Sequence, residues 1–218
     1  NRISVISTGI GTDNIDIVMN EVDALVNIDF NTRTLKDTLT SLDIIRIGTS
    51  GSIQGDIKMG TILASAFALG FDTLMQFYIK PYSAEELILR EAVEEHFQFM
   101  AFQPYVAQAS AKLLSRFAAD LPQGITMTAP GFYGPQGRNV RSHNVYPDLI
   151  KQANNFELHG QRITNLEMET AGIYAMASML GHHALSINAI LASRVNDTFA
   201  KNPQQVVDDA IQMLLRKL

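Results

Sequence analysis

Two carboxylates stand two residues apart in Asn165-Leu166-Glu167-Met168-Glu169-Thr170-Ala171-Gly172, at the end of an expected strand and just before a helix of small residues. Side chains at that spacing project to the same side of an extended segment. Ligands of α/β proteins usually lie at such strand-to-helix junctions. Carboxylates placed there can accept from a pair of vicinal hydroxyls, as on a ribose ring. The plainer alternative is an acidic first helical turn that favours the helix dipole; for this stretch alone, the plainer alternative prevails.

Three other polar stretches change the balance. In Arg46-Ile47-Gly48-Thr49-Ser50-Gly51 a cation interrupts an apolar strand, which is costly unless it meets an anion or a carboxylate. The glycines admit close approach of an oxyanion, and Thr49 adds a hydroxyl donor. The lysine and spacing of a P-loop are missing. An anion cradle and an arginine paired to a core carboxylate are both open at this point. In Phe132-Tyr133-Gly134-Pro135-Gln136-Gly137-Arg138, Gln136 offers one acceptor and two donors and Arg138 a rigid donor fork. Two apart on a constrained loop, they can match the carbonyl and imide edge of a pyrimidine, with Phe132 on its ring. An exposed loop with incidental polar residues is the alternative. Arg194, in Ala192-Ser193-Arg194-Val195-Asn196-Asp197, is either a further cation of the same site or a surface arginine at a strand end.

The elements that must position these stretches follow from periodicity. Strands are expected over residues 3–8, 43–47, 61–69, 125–129, 163–167 and 184–192. Helices are expected over 15–26, 34–42, 83–99, 106–119, 147–155, 170–180 and 203–218. Asn202 caps the last, with Val206, Val207, Ala210, Ile211, Leu214 and Leu215 turned inward, and Gly181 stops the helix before it. Strands apolar along their length and alternating with helices indicate one α/β domain over residues 1–218. Its central mixed, mostly parallel sheet is flanked by helices on both faces.

With 218 residues, 46% of them hydrophobic and 18% charged, the chain suits one large globular domain rather than a disordered one. A net charge of -5 gives no general attraction to nucleic acid or to an anionic membrane, so phosphate chemistry must come from local cations. The absence of cysteine excludes disulfide scaffolds, thiolate zinc sites and cysteine nucleophiles. No apolar run approaches the roughly 18 residues of a membrane span, and a cytoplasmic location is expected. The chain opens without methionine on an expected strand, so further residues are expected to precede Asn1.

Together these stretches resemble the nucleoside phosphorylase family, in particular its uridine phosphorylase branch. Ile6-Ser7-Thr8-Gly9-Ile10-Gly11, Arg46-Ile47-Gly48-Thr49-Ser50-Gly51 and Glu167-Met168-Glu169-Thr170-Ala171 match three separated family motifs in order, across essentially the whole chain. The spacing of Gln136 and Arg138 is the part that points to a pyrimidine. The resemblance implies that Arg46 and Thr49 hold phosphate, with Thr49 also near the ribose. It implies that Glu169 accepts from the ribose hydroxyls, that Met168 lines the sugar, and that Glu167 supports the arrangement. Gln136 and Arg138 would bind the uracil edge, Phe132 its face, and Arg194 would stand behind the base. In purine-cleaving relatives an aspartate occupies roughly the position of Arg194, with Asp197 its nearest counterpart here.

The implied reaction is phosphate-dependent cleavage of a pyrimidine nucleoside to free base and (deoxy)ribose 1-phosphate. Arg46, Thr49 and Arg138 carry the charge stabilisation, no metal or organic cofactor takes part, and phosphate is a co-substrate. A homo-oligomer, either a dimer or a hexamer built of dimers, is implied because family sites are shared between subunits. The family's glycine- and arginine-containing phosphate loop has no match in this chain, and none of the five histidines takes the role of the histidine that relatives lend across a subunit interface. A purine nucleoside phosphorylase, a nucleosidase of the same fold and a non-catalytic nucleoside-binding protein are the alternatives.

Overall fold

The computed structural model describes residues 2–218. Helix α1 (Thr12–Asn27) leads through the two-residue strands β1 (Ile28–Asp29) and β2 (Thr34–Leu35) to β3 (Asp43–Ser52) and β4 (Ile62–Gly70). Then come α2 (Ala84–His96), β5 (Tyr105–Gln108), α3 (Ala111–Phe117), β6 (Gln123–Thr128), α4 (Leu149–Asn155) and β7 (Glu157–Leu158). The chain ends with β8 (Gln161–Glu167), α5 (Thr170–Met179), β9 (His183–Ser193), β10 (Thr198–Phe199) and α6 (Pro203–Leu215).

The main sheet runs β10-β9-β3-β8-β6-β4-β5, and a further pairing of β4 with β9 closes its middle five strands into a ring. Three of the ladders are parallel: β3 with β9, β4 with β6, and β6 with β8. Strands β3 and β8 meet only at their carboxyl ends, where Gly51 and Ser52 pair with Leu166 and Asn165. The ring therefore gathers the ends of β3, β6, β8 and β9, which carry the four polar stretches.

Two apolar clusters cover the two faces. Along β4, Ala64 and Ala68 join a cluster with α1, α3 and α5, whereas Phe67 and Leu69 join another with α2 and α4. This is the alternation a strand covered on both faces requires. Helix α5 is buried at every position from Thr170 to Ala177, as expected of a helix apolar all round. Gly172 lets α1 approach it closely, since a Cβ there would lie 3.0 Å from Thr12 Cγ2. Tyr174 ties α5 to the sheet, donating to the Ser65 carbonyl at 2.8 Å and accepting from the Ser186 amide at 2.7 Å.

Four sequence expectations are corrected. Residues 3–8 form no strand: Ile3, Val5 and Ile6 are exposed and belong to none of the ladders. An apolar run becomes a strand only where a neighbouring edge accepts its backbone groups. Asn1 lies outside the described residues. Residues 34–42 are not a helix. Thr34 and Leu35 pair with β1, and the buried Asn27 side chain then binds both the amide (2.7 Å) and the carbonyl (3.2 Å) of Thr40. Residues 106–119 split into edge strand β5 and helix α3. The Tyr105 ring lies over Gly70 of β4, where a Cβ would stand 2.0 Å from it, so tertiary packing overrides the helical pattern. In α6, Leu215 is exposed while Ala210 and Leu214 are buried. The Asn202 cap is present, its side chain accepting from the Gln205 amide.

Candidate active site

Arg46 lies in the middle of β3, two residues before Gly48 on the same face of the strand. A Cβ on Gly48 would fall 2.3 Å from Arg46 Nη1, so only glycine leaves room for the guanidinium to fold across the strand. Arg46 Nη2 then reaches Glu169 Oε2 at 2.6 Å and Glu167 Oε2 at 3.0 Å. Nη1 donates to Asn188 Oδ1 at 3.1 Å. Burial lowers the Arg46 pKa, but the two carboxylates outweigh it and the net shift is upward, so the guanidinium stays charged.

The two carboxylates converge as their spacing suggests, yet they do different work. Glu167 is saturated: it accepts from Thr128 Oγ1 at 2.7 Å and from the amides of Glu169 and Thr170, both at 2.9 Å. Those amides are orphan donors at the start of α5, so Glu167 neutralises the positive end of that helix. Glu169 sits at the N-cap position of α5, with Oε1 accepting from the Gly11 amide at 2.8 Å. Met168 between them is half-buried.

The loop after β6 folds back on itself around Arg138. A single 3-10 turn, Gly134–Gln136, ends on Gly137 with φ 70, a left-handed conformation open to glycine. Arg138 Nη1 donates to Gln136 Oε1 at 2.6 Å and to the Phe132 carbonyl, and its guanidinium lies 3.9 Å from the Phe132 ring centroid. Such stacking over a ring face is a favoured arginine geometry. Gln136 is buried, whereas Phe132 remains half exposed.

Arg194, at the carboxyl end of β9, joins this loop to the rest. Its Nη2 donates to the Gln136 carbonyl at 2.9 Å, its own amide donates to Ser52 on β3, and its side chain runs beside Gly51. Its Nε is buried without a partner among the described residues. Burial and the neighbouring Arg194 both push the Arg138 pKa down. A concentrated positive potential of this kind suits an electron-rich ligand edge.

Arg46, Glu167 and Glu169 are thus in direct contact. Gln136, Arg138, Phe132 and Arg194 form a second contacting group, tied to the first through the end of β3. Thr49, three residues on in β3, is exposed and makes no side-chain hydrogen bond among the described residues. Of the two readings of Arg46, the structure shows the pairing with core carboxylates.

Several supporting residues escaped sequence reasoning. Ser186 and Asn188 are both fully buried on β9 and line the Arg46 side of the ladder. Their signal was available, since polar residues two apart in an apolar strand share a face. Thr128 and the Gly11 amide had no such signal, because each acts through a long-range contact. His182 is buried and its Nδ1 accepts from the Leu42 amide, while His183 packs against Ser110; neither approaches these groups. A separate recess of about 690 Å³ opens where β4, β6 and β8 begin, lined by Asp56, Lys58, Thr61, Gln123 and Arg162. None of the candidate residues borders it.

A family model described as the phosphorylase superfamily matches residues 1–218. The uridine phosphorylase of Thermococcus kodakarensis is 27% identical over 216 residues, covering 97% of this chain and 67% of that protein. The DeoD-type purine nucleoside phosphorylase of Caldanaerobacter subterraneus is 28% identical over 216 residues, covering 98% of this chain and 75% of that protein. Among solved structures, a Trypanosoma brucei nucleoside phosphorylase that shows uridine phosphorylase activity superposes with a TM-score of 0.82 at 26% identity. It covers 98% of this chain and 79% of that one.

Proposed function

The chain belongs to the phosphorylase superfamily, and from that premise we propose that it cleaves the N-glycosidic bond of uridine, or a related pyrimidine nucleoside, with inorganic phosphate. The products are the free base and (deoxy)ribose 1-phosphate. The observation that carries this reading is the 2.6 Å contact between Arg46 and Glu169. It sets an anion-binding cation beside a hydroxyl-accepting carboxylate, as attack of phosphate on a sugar carbon requires.

In this reading Arg46 holds phosphate against the anomeric carbon, with Thr49 as a second donor, and positioning supplies much of the acceleration. Glu169 accepts from the ribose hydroxyls, Met168 lines the sugar, and Glu167 fixes the start of α5 so that Glu169 is correctly placed. Positive charge grows on the sugar, as in other glycosyl transfers. Negative charge grows on the departing base, where Arg138 and Gln136 stabilise it as fixed donors while Phe132 covers the ring. Arg194 braces Gln136 and adds positive potential behind the base. The chemistry needs no metal or organic cofactor. The protein acts as a homo-oligomer, a dimer or a hexamer built of dimers, in the cytoplasm.

The assay is phosphate-dependent release of uracil from uridine, run beside inosine. Uracil formed at equal rates without phosphate would make the protein a nucleosidase, and faster cleavage of inosine would make it a purine enzyme. The purine reading has in its favour the similarity to DeoD-type enzymes, 28% identical in the case of Caldanaerobacter subterraneus. Against it stands Arg194 near the base-facing loop, where Asp197 is exposed in the turn between β9 and β10.

A further inference from the structure

Both oxygens of Glu169 are held, and by different elements. Oε2 takes Arg46 Nη2 at 2.6 Å, and Oε1 takes the Gly11 amide at 2.8 Å in a buried hydrogen bond. The first of these is open to competition from a bound anion. In the function proposed above, Arg46 is the cation that binds phosphate, and the N–H that points at Glu169 cannot also serve the new anion. A carboxylate released by its cation turns toward solvent unless something else restrains it.

Gly11 is built to be that restraint. It is the N-cap residue of α1, where backbone amides lack partners within the helix and favour negative charge. Its carbonyl accepts from the Ile15 amide, so the residue is anchored on its carboxyl side by the first helical turn. Helix α1 is in turn locked against α5, the helix that Glu169 begins, by Thr12 and Ile15 packing onto Gly172. Donor and acceptor thus sit on two helices that cannot move apart independently. Gly11 has φ 95, and a Cβ there would stand 2.7 Å from Asp13 Oδ1. A side chain is strained at that φ, and relieving the strain rotates the Ile10–Gly11 peptide whose N–H faces Glu169.

We propose that the Gly11 backbone amide is a positioning group for the ribose site, holding Glu169 in place for the sugar hydroxyls when Arg46 turns to phosphate. This rests on the reading of Glu169 as the hydroxyl acceptor. A merely structural role, capping α1 from outside, predicts a loss of stability with no preference among ligands.

The test compares Gly11→Ala with the unaltered protein in three measurements: KM for uridine, KM for phosphate, and the affinity for uracil, which lacks the sugar. Losing one hydrogen bond to a charged group should raise KM for uridine about tenfold or more and leave the other two within about twofold. Equal losses in all three, or no change in any, would overturn the proposal. Should Gly11→Ala fail to fold, glycolic acid incorporated in place of Gly11 turns the amide into an ester. That change deletes the donor and keeps the backbone conformation, and the same three numbers decide. Glu169→Ala separates this inference from its premise: if it too spares uridine binding, Glu169 is not the sugar's acceptor. If Glu169→Ala weakens uridine selectively and Gly11→Ala does not, the ribose site stands and the amide has no part in it.

Discussion

Arg138 makes the sharpest residue-level prediction, because its contacts are confined to its own loop and the Phe132 ring. Arg138→Ala should lower the turnover of uridine by about a hundredfold or more, the usual effect of removing a fixed donor from a developing anion. The melting temperature should stay within a degree or two, since surface-loop changes of this kind move stability by only about 0.5 kcal/mol. Unchanged turnover would remove the base assignment. Gly48→Ala tests the other half of the site. Its Cβ would collide with the Arg46 guanidinium at 2.3 Å, so KM for phosphate should rise more than KM for uridine, and a rise confined to uridine would contradict the placement of Arg46. At this scale the residue types were legible because Arg46, Glu167 and Glu169 stand in apolar company, which polar groups enter only for a reason. Their partners were not legible. Whether Arg46 meets an anion or a carboxylate depends on the register of β3 against β9 and on where α5 begins, and neither is written in the spacing of charges.

Helices and strands that carry their own periodicity were readable: α1, α2, α5 and β9 fall close to their expected limits. Elements defined by what lies beside them were not, as the split of residues 106–119 by Gly70 and Tyr105 illustrates. Two predictions belong here. Ser83 caps α2 in a reciprocal box with Glu86; Ser83→Ala should cost about 1 kcal/mol in denaturant unfolding and leave uridine turnover unaltered. His182 joins three elements, accepting from the Leu42 amide before β3 and facing Asp23 of α1 from the end of α5. Burial pushes its pKa below the ordinary 6.5, and Asp23 only partly offsets that. The unfolded chain therefore takes up this proton at higher pH than the fold does. The stability His182 contributes is whole above its ordinary value and drains away as the pH falls toward the lowered one. Melting temperatures measured from pH 7.5 down to 5 should fall more steeply for the natural protein than for His182→Gln; parallel curves would show that another group governs the acid side.

Closure of five strands into a ring is the property least visible in the chain, because it depends on β4 pairing with β6 on one edge and β9 on the other. Within that ring Arg46 and Glu169 share a contact, and in the reading proposed above that contact makes phosphate and sugar interdependent. Without phosphate, Arg46 occupies Glu169 Oε2 and competes with the sugar hydroxyls for the same oxygen. An anion that draws Arg46 away frees the oxygen, so uridine should bind more tightly to the anion-loaded protein, and the anion more tightly to the uridine-loaded protein by the same factor. Sulfate serves as an unreactive stand-in for phosphate. Calorimetric titration of uridine should show an affinity higher by about fivefold to a hundredfold in saturating sulfate, the usual range for coupled sites. Uracil, which has no hydroxyls to present, should show no such gain, and Arg46→Gln should abolish the gain for uridine. A sulfate effect of equal size on uracil would place the coupling in the base loop instead, through Arg194 and the end of β3. The absence of any effect would mean that Arg46 holds Glu169 and the anion at once.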